Sequence, residues 1–245
     1  MFGLRLGKYS ARLAQTEQDV MDCQKLRARV FRGALDERDT DAFDTRCNHV
    51  MIECAKTSDL VACFRLLELN DGSEIAQSYS AQFYDLSALE AFSGKMAEMG
   101  RFCISPGLQD PDVLRVAWAA MTRYVDDKSI EMLFGCSSFS GTESEGYEDA
   151  FALLKDRHLA PSRWLPQVKA ASVFPFSSRL RLRKPDLKQA MKTLPPLLRT
   201  YLLMGGWVSD HAVVDRDLNT LHVFTGLEIE AIPPARARLL RATAG

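Results

Sequence analysis

The sequence predicts a mixed α/β (α+β) fold in one continuous domain, and three observations predict it. Short runs with strand alternation recur along the chain, amphipathic stretches at helical spacing lie between them, and no fixed-period repeat or low-complexity tract interrupts the order. With 245 residues, 47% apolar and 26% charged, the chain has enough apolar material for a substantial core, which excludes disordered and fibrous classes.

Tyr9, Ala11 and Leu13 alternate with polar neighbours, as a first strand does. Thr16-x-x-Asp19 is a capping-box variant, and Val20, Cys23, Arg27, Val30 and Phe31 follow at helical spacing, predicting a helix over about 17–31. Residues 32–48 are aspartate-rich with few large apolar side chains and read as a long polar loop, a type that is more often functional than idle. Strands follow at 50–53 and 60–69 around a turn at Lys56–Asp59, then a short helix at 84–92. A strand at 97–104 places Glu98, Gly100 and Phe102 on one face and Met99, Arg101 and Cys103 on the other. Pro111 and Asp112 open an amphipathic helix through Tyr124, residues 132–138 form an apolar strand, and 142–157 a further helix. Beyond His158, prolines punctuate the chain. A helix at 194–204 stops at Gly205-Gly206, Trp207–Val214 returns as a strand or hairpin, and 221–228 is the last strand.

No run approaches the roughly 18 apolar residues of a membrane-spanning helix, and the N-terminus has no secretory h-region. The six cysteines include no CxxC pair and read as free thiols of a cytoplasmic protein, and the four scattered histidines support no metal site. The motifs of dinucleotide, P-loop, zinc-protease and α/β-hydrolase sites are absent. Charge is polarised. Residues 1–156 hold 17 Lys/Arg against 26 Asp/Glu, whereas 157–245 hold 14 against 6. Arg179, Arg181, Arg183, Lys184, Lys188, Lys192 and Arg199 face one acid, Asp186, in a block that requires an anionic partner or a solvated face.

Two groupings carry chemistry. Asp41-x-x-Asp44 followed by His49, and Glu98-x-x-Arg101, combine carboxylates that can hold an ammonium with a guanidinium that can fork a carboxylate, as recognition of an amino acid requires. Arg27, four residues before Phe31, and Arg65, inside the apolar run VACFRLL, either pair with Asp41, Asp44 or Glu98 or contact a substrate directly.

Arg27-x-x-x-Phe31, Asp41-x-x-Asp44, Arg65 and Glu98-x-x-Arg101 resemble, in order and spacing, the signature of acyl-homoserine-lactone (autoinducer) synthases, GNAT-like enzymes that use acyl carrier protein thioesters. The segments EMGRFCISPGLQDPDVLRVAWAAMTRYV, LFGCSSFSGT, LLKDRHLAP and LPPLLRTYLLMGGWVSDHAVVDRDLNT are similar to a sister family, the ornithine lipid biosynthesis N-acyltransferases, and the resemblance spans about residues 9–230. It implies a GNAT-like mixed central sheet flanked by helices, with a core at 9–158 and a basic C-terminal part at 159–245. It further implies transfer of a 3-hydroxy fatty acyl group from acyl carrier protein to the α-amino group of L-ornithine, the first step toward ornithine lipid.

On that basis Glu98 accepts the amine proton, Arg101 and Asp44 hold the network, and a backbone N–H near Phe102–Ile104 faces the oxyanion. Arg27, Phe31, Asp41, His49, Arg65, Phe102, Cys103, Ser137 and His158 are the substrate-binding candidates, with His49 and His158 as alternative bases. The loop Ser105–Pro111, where GNAT enzymes place a glycine- and arginine-rich pyrophosphate cradle, has one glycine, two prolines and an aspartate. This favours a phosphopantetheine arm, with no tightly bound cofactor, over coenzyme A. Arg179, Arg181, Arg183, Lys184, Lys188 and Lys192 then steer acyl carrier protein or meet an anionic inner membrane surface, whereas nucleic acid does not suit the block. The rivals are another acceptor (glutamine, lysine or glycine), a true autoinducer synthase, and a non-enzymatic membrane-surface adaptor.

Overall fold

The computed structural model describes residues 3–245. In chain order the elements begin β1 (Gly3–Leu6), β2 (Tyr9–Leu13), α1 (Glu17–Phe31), β3 (Asn48–Cys54), β4 (Leu60–Leu69), β5 (Tyr84–Asp85), β6 (Met96–Ile104) and α2 (Pro111–Lys128). They continue β7 (Met132–Ser140), α3 (Glu148–Arg157), β8 (Gln167–Val168), β9 (Val173–Phe174), α4 (Phe176–Arg179), α5 (Leu187–Thr193) and α6 (Pro196–Leu203). β10 (Trp207–Val208), β11 (Ala212–Asp215), β12 (Thr220–Glu228) and α7 (Pro234–Ala244) complete the chain. This is the predicted mixed α/β class. The chain divides into two compact units, one of residues up to Glu68 with Ala97–Ile130 and Pro234–Gly245, the other of Leu69–Met96 with Glu131–Pro233. Residues 131–158, read from sequence with the core, thus lie in the second unit.

In the first unit the strand order is β1-β2-β3-β4-β6, with β1 to β4 antiparallel in turn. The Thr16 hydroxyl accepts from Asp19 N–H and the Asp19 carboxylate accepts from Thr16 N–H, so α1 starts where the capping box predicts. Its buried stripe, Cys23 and Leu26, packs on Met51, Cys63 and Cys103, with Phe31 partly buried against the same cluster. Asp110 caps α2, Pro111 follows at its start, and Ser129 ends it in the left-handed region. The third helix of this unit is α7, unforeseen from sequence, which packs against α2 and joins it through Arg241 and Asp126 at 2.9 Å.

In the second unit β7 and β12 pair antiparallel over nine residues, Met132 opposite Glu228 through Ser140 opposite Thr220, and β11, β9 and β10 extend the sheet. Phe139 and Val223 of its strands share a core with Phe151, Phe176, Leu194 and Leu198 from the helical segments α3 to α6. Two sequence expectations are corrected here. The helix expected at 84–92 is β5, paired with β8, followed by a 3-10 turn at Ser87–Ala91, because Tyr84 is drawn into the core by its hydroxyl bond to the His222 carbonyl at 2.7 Å. The helix expected from Thr142 begins at Glu148, because Gly141 and Gly146 adopt φ of 83° and 86° and break the helical run. Among the described residues no helix is long and apolar enough to cross a membrane.

Candidate active site

The polar loop between α1 and β3 closes over a buried ring of alternating charge in the first unit. Arg27 donates from Nε to Asp39 Oδ2 at 3.0 Å and from Nη1 to Asp44 Oδ1 at 2.7 Å. Arg65 takes the next position, donating from Nη1 to Asp44 Oδ1 and Asp41 Oδ1, both at 2.6 Å, and from Nη2 to Asp41 Oδ2 at 2.7 Å. Arg101 then closes the circuit, with Nη2 to Asp41 Oδ2 and Nε to Asp39 Oδ2, each at 3.1 Å. Three guanidinium groups and three carboxylates alternate, so each buried charge has opposite charge on both sides, the condition under which burial is tolerated.

The ring has a closed and an open side. The side chains of Arg27 and Asp39 are 1% exposed, those of Arg101 and Asp41 10% and 21%. Supports surround the closed side. Gln24 donates to Asp44 Oδ2 at 3.0 Å, Arg32 to Asp39 Oδ1 at 3.2 Å, and His49 Nε2 meets the Asp44 carbonyl at 2.9 Å. Burial opposes ionisation of Asp44 and Asp41, but Arg27 and Arg65 outweigh it at Asp44, and Arg65 and Arg101 at Asp41. Both carboxyls are thereby held below the usual carboxylate range, so Asp44 serves as an anchor rather than a base. Burial, aided by Arg27 and Arg65, pushes His49 down and keeps it neutral near pH 7. Burial also raises the Cys47 thiol to about 11, which removes it as a nucleophile at neutral pH.

One residue sets the geometry of β6. Arg101 has φ 53°, the left-handed region, within an otherwise extended strand. A Cβ on Gly100 would lie 3.7 Å from Arg65 Nε, so Gly100 faces Arg65, and Glu98, two residues earlier and buried, shares that face by strand alternation. Yet Cys103 Sγ lies 3.5 Å from Cys63 Sγ, and Cys63 is on the same face of β4 as Arg65. Phe102 instead meets Phe64 on the opposite face, ring centroids 6.0 Å apart. Regular alternation cannot put Glu98 and Cys103 on one side, and the left-handed Arg101 shifts the parity as a β-bulge does. This corrects the sequence expectation that Glu98 and Arg101 lie on opposite faces. They share one.

Of the sequence candidates, Arg27, Asp41, Asp44, His49, Arg65 and Arg101 come together here. Glu98 shares their face, while Phe31 and Cys103 belong to the adjoining apolar cluster. Ser137 and His158 lie in the second unit, Ser137 buried and accepting from the Thr225 hydroxyl at 3.0 Å, His158 half-buried at the end of α3. Asp39, Gln24 and Arg32 escaped the sequence reading. The only signal available was the aspartate density of the loop, which does not say which aspartates turn inward.

At the start of α2, Asp110 accepts from Asp112 N–H at 3.0 Å, from the Tyr9 hydroxyl at 3.0 Å and from the Lys8 ammonium at 2.5 Å. The Lys8 ammonium, the Asp112 amide and the Tyr9 hydroxyl draw its carboxyl down to about 2. A fixed anion therefore sits on the helix end where a phosphate would otherwise be favoured.

Comparison with known proteins matches residues 23–119 to the acetyltransferase (GNAT) domain. The chain is 31% identical to an L-ornithine N(alpha)-acyltransferase of Rhodobacter capsulatus, over 91% of each chain. It belongs to that acyltransferase family. A second family member, from Brucella abortus, is 28% identical over 93% of this chain and 87% of its own. Among solved structures, the N-acyl amino acid synthase FeeM from uncultured soil microbes shares the fold, with a TM-score of 0.51 over 96% of both chains at 10% identity. The family's matched domain contains every member of the charged ring, from Arg27 to Arg101, together with the capped end of α2.

Proposed function

We propose that this chain transfers a 3-hydroxy fatty acyl group from an acyl carrier protein thioester to the α-amino group of L-ornithine, giving the single-chain precursor of ornithine lipid. The acceptor follows from the curated relatives, which span nearly the whole chain. The observation that carries the chemistry is the left-handed Arg101, which gathers Glu98, Arg101 and the open side of the ring at Asp41 on one face of β6.

Aminolysis of a thioester needs a neutral amine, a stabilised oxyanion and a proton for the departing thiol. In the proposed step Glu98 takes a proton from the ornithine ammonium, directly or through a water. The freed amine attacks the thioester carbonyl, the C–N bond forms as the C–S bond breaks, the nitrogen gives its second proton to the departing thiolate, and Glu98 releases the first to solvent. In the same step the oxyanion takes a backbone N–H just after Arg101, where a β-bulge interrupts the strand ladder. Asp41, already ionised and the most exposed carboxylate of the ring, is the ring member placed to accept a hydrogen bond from the incoming ammonium. Arg101 keeps Asp41 and Asp39 in place. No covalent enzyme intermediate is required.

The capped end of α2 supports a carrier protein over coenzyme A as donor. Asp110 holds a negative charge where the pyrophosphate of coenzyme A would seek backbone N–H groups, and Pro111 contributes none. A phosphopantetheine arm brings a single phosphodiester.

Mass spectrometry of the chain incubated with 3-hydroxyacyl carrier protein and a panel of amino acids tests this reading. Ornithine alone should gain the acyl mass, and Glu98→Gln should lower turnover about 100-fold or more, the usual scale of a lost general base. Acylation of glutamine, lysine or glycine in place of ornithine would replace the acceptor. No acylation by a folded protein would remove the enzyme reading.

A further inference from the structure

Leu182 is 85% exposed within the most basic stretch of the chain, between Arg181 and Arg183. Its exposure is built in. The Lys155 ammonium on α3 donates to the carbonyls of Leu180, Arg181 and Arg183 at 2.8, 3.3 and 3.1 Å, so the backbone wraps around this one cation. Arg183 further pairs with Asp149 at 3.2 Å, and Asp186 N–H donates to Asp149 Oδ1 at 3.1 Å, which fastens the turn to α3 on its far side.

The next element continues the pattern. On α5, Leu187 and Met191 stand four residues apart, 45% and 42% exposed, beside the exposed pair Lys188 and Lys192 at the same spacing. Ala190 on the opposite side is buried in the core of the second unit, so α5 is held with this mixed face outward. Arg179, Arg181 and Lys184 are exposed as well. The acids nearby are engaged: Asp149 with Arg183, Asp156 with Lys155, and Asp186 as the cap of α5.

We infer that this turn and α5 form an interfacial membrane anchor, in which Leu182, Leu187 and Met191 enter the outer edge of an anionic bilayer while the surrounding bases meet its phosphate headgroups. Two features select a bilayer over an acidic protein partner. The carboxylates of an acidic protein would pair with the bases but would leave large exposed leucines with nothing to enter, whereas a bilayer takes both. The alternation of bases with apolar side chains is also the composition by which surface helices lie in the headgroup region. The inference deepens the lipid-forming reading above, since a single-chain acyl product must reach a bilayer. Vesicle binding is read without donor or acceptor, so either reading can fail alone.

The test is co-sedimentation of the full chain with vesicles of phosphatidylglycerol and phosphatidylcholine in equal parts, beside phosphatidylcholine alone. Binding should require the anionic lipid and weaken as salt rises. Lys188→Gln with Lys192→Gln should lower partitioning about fivefold per charge, following the strength of a base near an anionic surface. Leu182→Ser with Leu187→Ser should lower it about tenfold with unchanged circular dichroism, both side chains being exposed in solution. Leu182→Trp should show a blue-shifted, bromolipid-quenched emission on adding the anionic vesicles. Absence of binding at near-physiological salt, binding indifferent to the leucine changes, an unquenched tryptophan, or displacement from vesicles by acyl carrier protein would each overturn the anchor.

Discussion

Arg27 and Arg65 donate to the same oxygen, Asp44 Oδ1, at 2.7 and 2.6 Å. They reach it from α1 and β4, so one carboxylate of the polar loop ties a helix to a strand. The ring through Asp41, Arg101 and Asp39 is built outward from that shared atom.

Asp44→Asn should therefore be among the most damaging single changes in the first unit. It leaves two buried guanidinium groups facing a neutral amide, a loss on the order of 3–5 kcal/mol for a buried pair deprived of one partner. Urea unfolding of the purified chain measures it. A change under about 1 kcal/mol would mean that solvent reaches the ring.

Acid should act through the same residues. Asp44 and Asp41 have folded pKa values below their unfolded ones, so their stabilisation is complete above the unfolded value near 4 and is lost as pH falls toward the folded ones. The ring's own share of stability, read as the difference between wild type and Asp41→Asn, should decline below about pH 4.

His222 gives an opposite-charge counterpart in the second unit. Burial, with His211 alongside, lowers its folded pKa to about 4, although Asp215 works against the shift. The unfolded histidine takes up its proton near pH 6.5, before the native one can, so this contribution is present at neutral pH and falls away between 6.5 and about 4. An imidazole titration by NMR should show His222 still neutral at pH 5.

Arg101 combines a left-handed backbone with two ion pairs, and two substitutions separate them. Arg101→Gly removes the pairs and the backbone cost, whereas Arg101→Ala removes only the pairs, so the glycine variant should be more stable by about 1 kcal/mol. Both should lose acyl transfer, because Asp41 and Asp39 are released. A glycine variant with full activity would show that the bulge suffices without the guanidinium.

Asp110→Asn keeps the cap of α2 and removes its charge. The KM for an acyl-coenzyme A thioester should fall a few-fold, about the effect of one charge at a helix end. The KM for the carrier-protein thioester should hold. Equal changes for both donors would detach Asp110 from donor choice.

The amino-acid sequence by itself determined the elements whose cause is local. The Thr16–Asp19 box fixes the start of α1, apolar alternation fixes β2, an apolar run between turn residues fixes β4, and Asp110-Pro111 opens α2, since capping, burial pattern and turn chemistry are properties of neighbouring residues. The family was legible too, but from several motifs in order, Arg27-x-x-x-Phe31, Asp41-x-x-Asp44, Arg65 and Glu98-x-x-Arg101 with the longer segments after them, and not from any one spacing. Only the tertiary structure decided that Asp39 enters the ring, that Asp44 is an anchor, and that Glu98 and Arg101 share a face. An arginine in a strand carries no local sign of left-handed backbone. Its conformation is held by Asp39, 62 residues away, and Asp41, 60 away, whose charges must be neutralised once buried, and no window of sequence contains both partners.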